Sequence, residues 1–390
     1  MFLAAGGTTV SAQANPEITD RIVASEESSA GLLALRLLVD RLDHPWAVAP
    51  LPDGGALITE RSGRLLYVSS REPGEGRIQA VRGVPEVHAV RQGGLLDVIV
   101  DPGYGDNRTI YLSYSVAVGR GSTTRVARGL FRIDDGSPRL EDLQVLFTLN
   151  TRATTSHHYG SRLAIDRTGY LYITVGDRGT GSSAQDLSNH QGSVVRIRTD
   201  GTVPEDNPFG GHTTRAVGEY VPELFTWGHR NPQGIAVDPE TGLVWINEHG
   251  PRGGDEINVL EAGSNYGWPR VTGGVAYSGA VIAETPSPPG MTPPLLEWTP
   301  SIAPSGMAFV TSDRYPQWRG DVLAGALAGR HLRRVDLSSP RRGTAPRVSG
   351  EERLFAGYAR FRDVREGSDG FLYVLTDEDR GGLYRIEISN

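Results

Sequence analysis

The chain contains no cysteine, so neither a disulfide framework nor a thiolate metal site can be built from it. It also lacks lysine, and all 39 of its cationic residues are arginine. That removes Schiff-base chemistry and any lysine nucleophile. No apolar run approaches the roughly 18 residues that read as a membrane span. No basic stripe offers itself to a phosphate backbone, and the formal net charge of −7 is mildly acidic. Nucleic acid is therefore not an expected partner. Long windows with a helical apolar period are missing as well, which argues against a helical architecture.

What the chain does have is punctuation. Its 50 glycines and 25 prolines break it into short apolar runs, and one pattern recurs. An alternating apolar strand is followed by a turn carrying Asp or Pro with Gly, and then by a second apolar-aromatic strand. The pattern occupies 46–60, 95–114, 162–177, 234–250, 307–327 and 363–379. Such turns between β-branched and aromatic runs specify β-hairpins. Six units about 50–70 residues apart leave room for two further strands each, which fits radial repetition better than a sandwich. The expected fold is all-β: a six-bladed β-propeller of four-stranded antiparallel blades, formed by residues 36–390 as one domain. Residues 1–35 are expected to precede it as an export-signal remnant or a disordered segment. The short apolar start and the Ala12-Gln13-Ala14 site without a basic lead support this, and they suggest a periplasmic or secreted protein.

Polar residues crowd the ends of the inner hairpins. Gln92 precedes the second unit and the His157–His158 pair the third, whose hairpin ends in Asp177-Arg178. "WGHRNPQG" precedes the fourth, which ends in "NEHGPRGGDEIN"; Arg360 and Arg362 share one face of the strand opening the sixth. Each cluster alone could be a capped turn, a surface pair or a guarded strand edge. A propeller would bring all of them to one mouth of its channel. The 248–268 segment exposes carbonyls at Gly250-Pro251 and adds the hard oxygens of Asp255 and Glu256. Oxygen donors of this kind suit calcium, although the spacing is not that of an EF-hand.

"GGLLDVIVDP", "HHYGSRLAI", "VGDRG", "LFTWGHRNPQGIAVDP", "EHGPRGGDEINVLEAGSNYGWP" and "RFRDV" together resemble the soluble quinoprotein sugar dehydrogenases of the aldose sugar dehydrogenase type. The resemblance runs from about residue 42 to 388. It implies a six-bladed propeller holding pyrroloquinoline quinone (PQQ) and calcium, which oxidises aldoses at C1 to lactones and passes electrons to an external acceptor. By the same resemblance His158 is the general base, taking the hydroxyl proton as hydride leaves for the quinone, and Asp177 accompanies it. Arg230 and Asn231 bond the quinone oxygens, Gln92 touches the cofactor, and Arg360 and Arg362 bind its carboxylates. Gly250 and Pro251 hold calcium through their carbonyls, with Asp255, Glu256 and Tyr266 where the family has calcium ligands and their neighbours.

Two departures stand out. Some family members carry a fifth-blade lysine that reaches a cofactor carboxylate; here Ala328 stands at the match, and either Arg330, two residues on, replaces it or cofactor affinity is lower. His249 stands beside the calcium carbonyls where some relatives have Gln. Two other function classes also fit a propeller. A calcium-dependent hydrolase of lactonase type would use His158 and the metal but leave the arginines idle, and a non-catalytic propeller that binds a glycan or protein has the missing lysine as its one support. Neither the preferred sugar nor the oligomeric state is written in the sequence.

Overall fold

All six hairpins form, and each is the innermost pair of an antiparallel sheet. The computed structural model describes residues 15–210, 220–283, 288–338 and 345–389. Blade 1 comprises Pro45–Pro50, Ala56–Glu60, Leu65–Val68 and Ile78–Ala80. Blade 2 comprises Leu95–Val100, Thr109–Val118, Gly121–Asp134 and Ser137–Thr148, and blade 3 Leu163–Ile165, Tyr170–Val175, Ser193–Arg198 and Leu224–Trp227. Blade 4 is built from Pro232–Val237, Val244–Glu248, Asp255–Val259 and Leu296–Trp298, and blade 5 from Pro304–Phe309, Val322–Ala326, His331–Ser338 and Arg347–Leu354. Blade 6 begins with Phe361–Glu366, Leu372–Thr376 and Gly381–Ser389 and takes two outer strands, Gly31–Leu42 and Glu17–Ser28, from the other end of the chain.

This last blade corrects the expected boundary. Residues 17–35 are not a lead-in but strands of the propeller. Leu33 pairs with Ile388, Leu35 with Ile386 and Leu37 with Tyr384, closing the ring through main-chain hydrogen bonds. Residues 1–14, where the export-signal reading falls, lie outside the described residues. Among the described residues the one α-helix is Tyr104–Asn107, and no helix is long and apolar enough to cross a membrane.

The core is divided into six seams between blades, and strand alternation feeds both sides of every blade. Leu57 packs towards blade 2 and its neighbour Ile58 towards blade 6. Tyr111 and Leu112 divide in the same way between blades 3 and 1, Tyr172 and Ile173 between blades 4 and 2, and Trp245 and Ile246 between blades 5 and 3. Because both faces are covered, second strands such as "ALITE" and "LYVLT" are buried throughout. The N-terminal strand obeys the same rule, sending Leu33, Leu35 and Leu37 to the blade 5–6 seam and Leu38, Val39 and Leu42 to the blade 6–1 seam.

Charge, not hydrocarbon, fills the centre of the channel. Arg162 is 1% exposed and stands 2.9 Å from Asp363 and 3.3 Å from Asp97. Its remaining donors reach the carbonyls of Gln233 at 2.8 Å and Arg362 at 2.9 Å. Arg365 completes the group, 2.8 Å from Asp97 and 3.2 Å from Asp363. The amides of Val48 and Leu163 donate to the same two carboxylates, and the Arg162 guanidinium lies over the Trp46 ring at 4.0 Å. Five blades thus meet on one neutral knot. It separates an upper cavity of about 210 Å³ from a wider lower hollow of about 520 Å³, and the two share no lining residue.

Candidate active site

The upper cavity is lined from every blade, and inner-strand ends supply its polar groups: Gln92, Asn231, Gln233, His249, Arg360, Arg362, Arg61 and Asp377 among them. A larger hollow of about 810 Å³ lies on the blade 5–6 flank, away from all the clusters read from the sequence. The upper cavity is therefore the candidate site.

His158 is not itself a lining residue but stands beside two that are, Gln92 and Tyr159, on a backbone of φ 54°, a left-handed conformation that is uncommon outside glycine. Two contacts hold it there. Its amide donates to Gln92 Oε1 at 2.8 Å, and the backbone of Gly176 lies so close that a Cβ there would sit 2.2 Å from the His158 carbonyl oxygen. That close approach explains the glycine of "VGDRG". Arg178 clamps the same loop, donating to the carbonyls of His157 and Thr155 and covering the Tyr159 ring at 3.7 Å. On the ring itself, Nδ1 lies 2.7 Å from Asp177 Oδ1. A carboxylate accepts, so Nδ1 carries a proton, and in the neutral ring the lone pair is then on Nε2.

Asp177 is 1% exposed. Burial alone would push its carboxyl up, but hydrogen bonds from His158, the Gly179 amide and the Trp268 indole hold it below the usual carboxylate range. The indole Nε1 donates to Oδ2 at 2.8 Å. Trp268, which the sequence reading did not single out, therefore supports the couple from the blade 4 loop. Trp268→Phe is expected to remove roughly 1.5–3 kcal/mol of stability at neutral pH, the range for a hydrogen bond to a charged group. A depressed carboxyl stabilises above its unfolded value of 3.8 and loses that contribution as pH falls through its folded value. Raising the folded value should move the acid-unfolding midpoint to higher pH, which circular dichroism during acid titration would show.

"WGHRNPQG" divides its labour. His229 is fully buried, with Nδ1 2.8 Å from Glu248, Nε2 2.9 Å from Thr226 Oγ1 and its ring stacked on Tyr266. It is structural. Arg230 donates to the Gly250 carbonyl at 2.7 Å and the His249 carbonyl at 3.2 Å, and lies over the Trp268 ring at 5.3 Å. Asn231 Oδ1 accepts from Gly160 and Gln233, while its amide faces His249 Nδ1 at 3.5 Å. His249 Nε2 donates to the Pro304 carbonyl at 2.7 Å. Burial, with Arg230 and Arg362 nearby, outweighs that carbonyl and pushes the imidazole down to about 3, so His249 is a neutral wall.

The opposite wall is cationic. Arg362 donates to Gln233 Oε1 at 2.9 Å and to Asp377 Oδ2 at 3.0 Å, while its buried Nε has no protein partner. Arg360 lies 3.8 Å from Asp377 and donates to the Leu327 carbonyl. Arg61 stands 3.8 Å from the same carboxylate. Although burial opposes it, the Arg362 and Arg61 guanidiniums with His44 hold Asp377 far below the usual carboxylate range. His44 in turn is raised, first by its hydrogen bond to Asp377 and against burial and Arg61. A raised histidine stabilises fully below its unfolded value of 6.5 and loses that stabilisation as pH rises through its folded value. The advantage of the parent over a His44→Gln variant in urea should therefore shrink from mildly acidic to mildly alkaline pH.

Two expected residues are placed elsewhere. Arg330 does not line the cavity; it donates to the Tyr358 carbonyl at 3.0 Å and faces Glu378 at 3.6 Å, with its side chain 45% exposed. Asp255, expected as a metal ligand, has both oxygens occupied by the amides of Gly250, Ile302 and Ala303 and the Ser301 hydroxyl, at 2.5–2.8 Å. It fixes the carbonyl-bearing loop instead. Tyr266 donates its phenol to Val259 O at 2.6 Å, so any ligation by this residue falls to its main-chain carbonyl. Among the described residues no three acidic or histidine side chains converge as a metal cage. Gly250, Glu248, Glu256 and Tyr266 nevertheless line a cavity of about 10 Å³ beside Arg230. Burial, then Glu248 and Glu297, pushes Glu256 well up.

Residues 42–385 match the family described as glucose/sorbosone dehydrogenase. The chain is 41% identical over 360 residues to the aldose sugar dehydrogenase YliI of Escherichia coli K12, covering 91% of this chain and 93% of that protein. The crystal structure of the soluble aldose sugar dehydrogenase from Escherichia coli in its apo-form superposes with a TM-score of 0.83 at 40% identity, covering 92% of this chain and all of that one. The PQQ-bound aldose sugar dehydrogenase of Streptomyces coelicolor superposes with a TM-score of 0.70 at 26% identity, covering 93% and 100% of the two chains.

Proposed function

The chain belongs to the glucose/sorbosone dehydrogenase family, and from that footing we propose that it is a PQQ- and calcium-dependent dehydrogenase that oxidises aldose sugars at C1 to lactones. The observation that carries this reading is the pairing of a base-competent histidine, His158 on Asp177, with a cavity wall of guanidiniums. Sugars do not call for such a wall, whereas a polycarboxylate does. The unpartnered Nε of Arg362 is a buried donor awaiting an acceptor. A hydrolase could use His158 but would leave the guanidinium wall and this donor without a task.

PQQ, when bound, supplies the quinone that accepts the hydride. Arg362 and Arg360 would hold its carboxylates, while Arg230, Asn231 and the Gln92 amide would face its ring oxygens. Calcium would take a different donor set: Gly250, Glu256 and Tyr266, which line the small cavity, with the carbonyl of Pro251, the next residue, which is not among the lining residues. The crowding that raises Glu256 is relieved by a cation, and hard backbone oxygens suit this metal. A cation on the Gly250 carbonyl would share that oxygen with Arg230, which donates to it here.

His158 Nε2 takes the proton from the sugar's anomeric hydroxyl. Asp177 fixes the productive tautomer at Nδ1 and stabilises the imidazolium that results. Trp268 and the Gly179 amide keep Asp177 anionic through that change. His249, neutral and tied to Pro304, adds no second base. Electrons leave to an external acceptor, and a periplasmic or secreted setting accords with the sequence of the first 14 residues.

The test is direct. Cofactor-free protein mixed with PQQ, calcium, an aldose and a redox dye should reduce the dye, and calcium chelation should abolish the reduction. Absence of dye reduction across several aldoses, with no change in quinone absorbance on mixing, would refute the proposal.

A further inference from the structure

Resting on that reading of the cavity, we propose that Arg61 is a third carboxylate-binding residue for the cofactor and takes the place the sequence reserved for Arg330. Arg61 follows the second strand of blade 1, Ala56–Glu60. Its backbone is fixed on both sides: its amide donates to His44 O, and its carbonyl accepts from Leu95. The chain at Gly94 passes so near that a Cβ there would lie 1.9 Å from the Arg61 carbonyl oxygen. The blade 1 turn is thus pressed onto blade 2, and the arginine is delivered to the cavity lining.

The side chain has what a ligand-binding arginine needs and Arg330 lacks. Among the described residues its ion pair is a loose 3.8 Å approach to Asp377, and its side chain is 25% exposed. Asp377 is already engaged by Arg362 at 3.0 Å and by His44 at 2.9 Å. Of the residues lining the cavity, Asp377 is the one acid, set against the guanidiniums of Arg61, Arg360 and Arg362. The wall therefore keeps surplus positive charge on the side where Arg61 stands. Arg330 is spent outside the cavity on Tyr358 and Glu378. A third carboxylate brought into this cavity meets Arg61.

The test is a PQQ titration of cofactor-free protein with calcium present, read by quenching of tryptophan fluorescence and by calorimetry, with no sugar or turnover involved. Arg61→Ala should weaken binding by about 10- to 100-fold, as for a lost charge-assisted hydrogen bond, and should flatten its salt dependence. Arg61→Lys should recover part of the loss, and Arg330→Ala should bind like the parent. Melting of each variant without cofactor separates folding from binding, and Arg61→Gln serves if the alanine variant is unstable. Equal affinity of the parent and the folded Arg61 variants overturns the inference while leaving the PQQ reading intact. So does a loss confined to Arg330→Ala. Failure of the parent itself to bind PQQ overturns both.

Discussion

Replacing His158 with alanine is expected to lower turnover by roughly 10²- to 10⁴-fold, with PQQ affinity nearly unchanged. Among the described residues the side chain's one hydrogen bond is with Asp177, and the residue's main-chain bond to Gln92 survives the substitution. Neither group belongs to the arginine wall, so the cofactor contacts stay in place. Neighbouring histidines do not substitute. His249 donates its Nε2 proton to Pro304, and His157 packs edge-on against His158 with its ring centroid 4.6 Å away. Burial and the adjoining His158 also push His157 down from the ordinary histidine range. His158→Asn is the useful companion, because asparagine tolerates the left-handed backbone at this position. Stopped-flow reduction of the bound quinone by an aldose is the measurement. Persistence of fast reduction in both variants would move the base elsewhere, and loss of PQQ binding in both would make His158 a binding residue.

Arg162→Met is the second large effect, and it falls on stability. The substitution leaves Asp97 and Asp363 with Arg365 alone, inside a site where Arg162 and both acids are at most 1% exposed. Breaking a buried pair by removing one partner costs about 3–5 kcal/mol, because the remaining charge is stranded. The carbonyls of Gln233 and Arg362 lose their donor as well. Urea denaturation of the cofactor-free protein should show the lower midpoint with an unchanged slope. Adding Asp97→Asn should restore part of the loss, since it removes one stranded charge, and the double-mutant difference gives the coupling. A loss below about 1 kcal/mol would mean that the knot shapes the channel without holding it together.

The inner hairpins were legible because two independent signals agree there. An alternating apolar run followed by an apolar-aromatic one marks the strand pair, and the turn with Asp or Pro and Gly between them fixes the reversal. The N-terminal boundary was not legible. "GLLALRLLVDRL" reads as a strand only when its partner is known, and that partner, "GGLYRIEIS", lies at the far end of the chain. At the site, types of residue were readable but not their commitments. Asp255 looks like a ligand until four donors are seen to occupy it. Arg330 and Arg61 are alike as letters, and only their neighbours separate them. Yet Arg61, His249 and Asp377 each directly follow the second strand of a blade. The sequence clusters mark the end of that strand in blades 3 and 4, and the equivalent places in blades 1 and 6 hold Arg61 and Asp377, which the clusters did not include.

The shared sheet of blade 6 also sets a timetable for biosynthesis. Gly31–Leu42 leaves the ribosome long before its partner Gly381–Ser389. At roughly 5–20 residues per second, the intervening residues 43–380 take on the order of 20–70 s to synthesise. Throughout that interval a strand apolar on both faces, with Leu33 and Leu35 on one and Leu38 and Val39 among its neighbours, waits without its seam. The nascent chain must keep this segment from pairing with other chains until Gly381–Ser389 arrives, so a ring latched in this way is vulnerable to aggregation until the moment it closes.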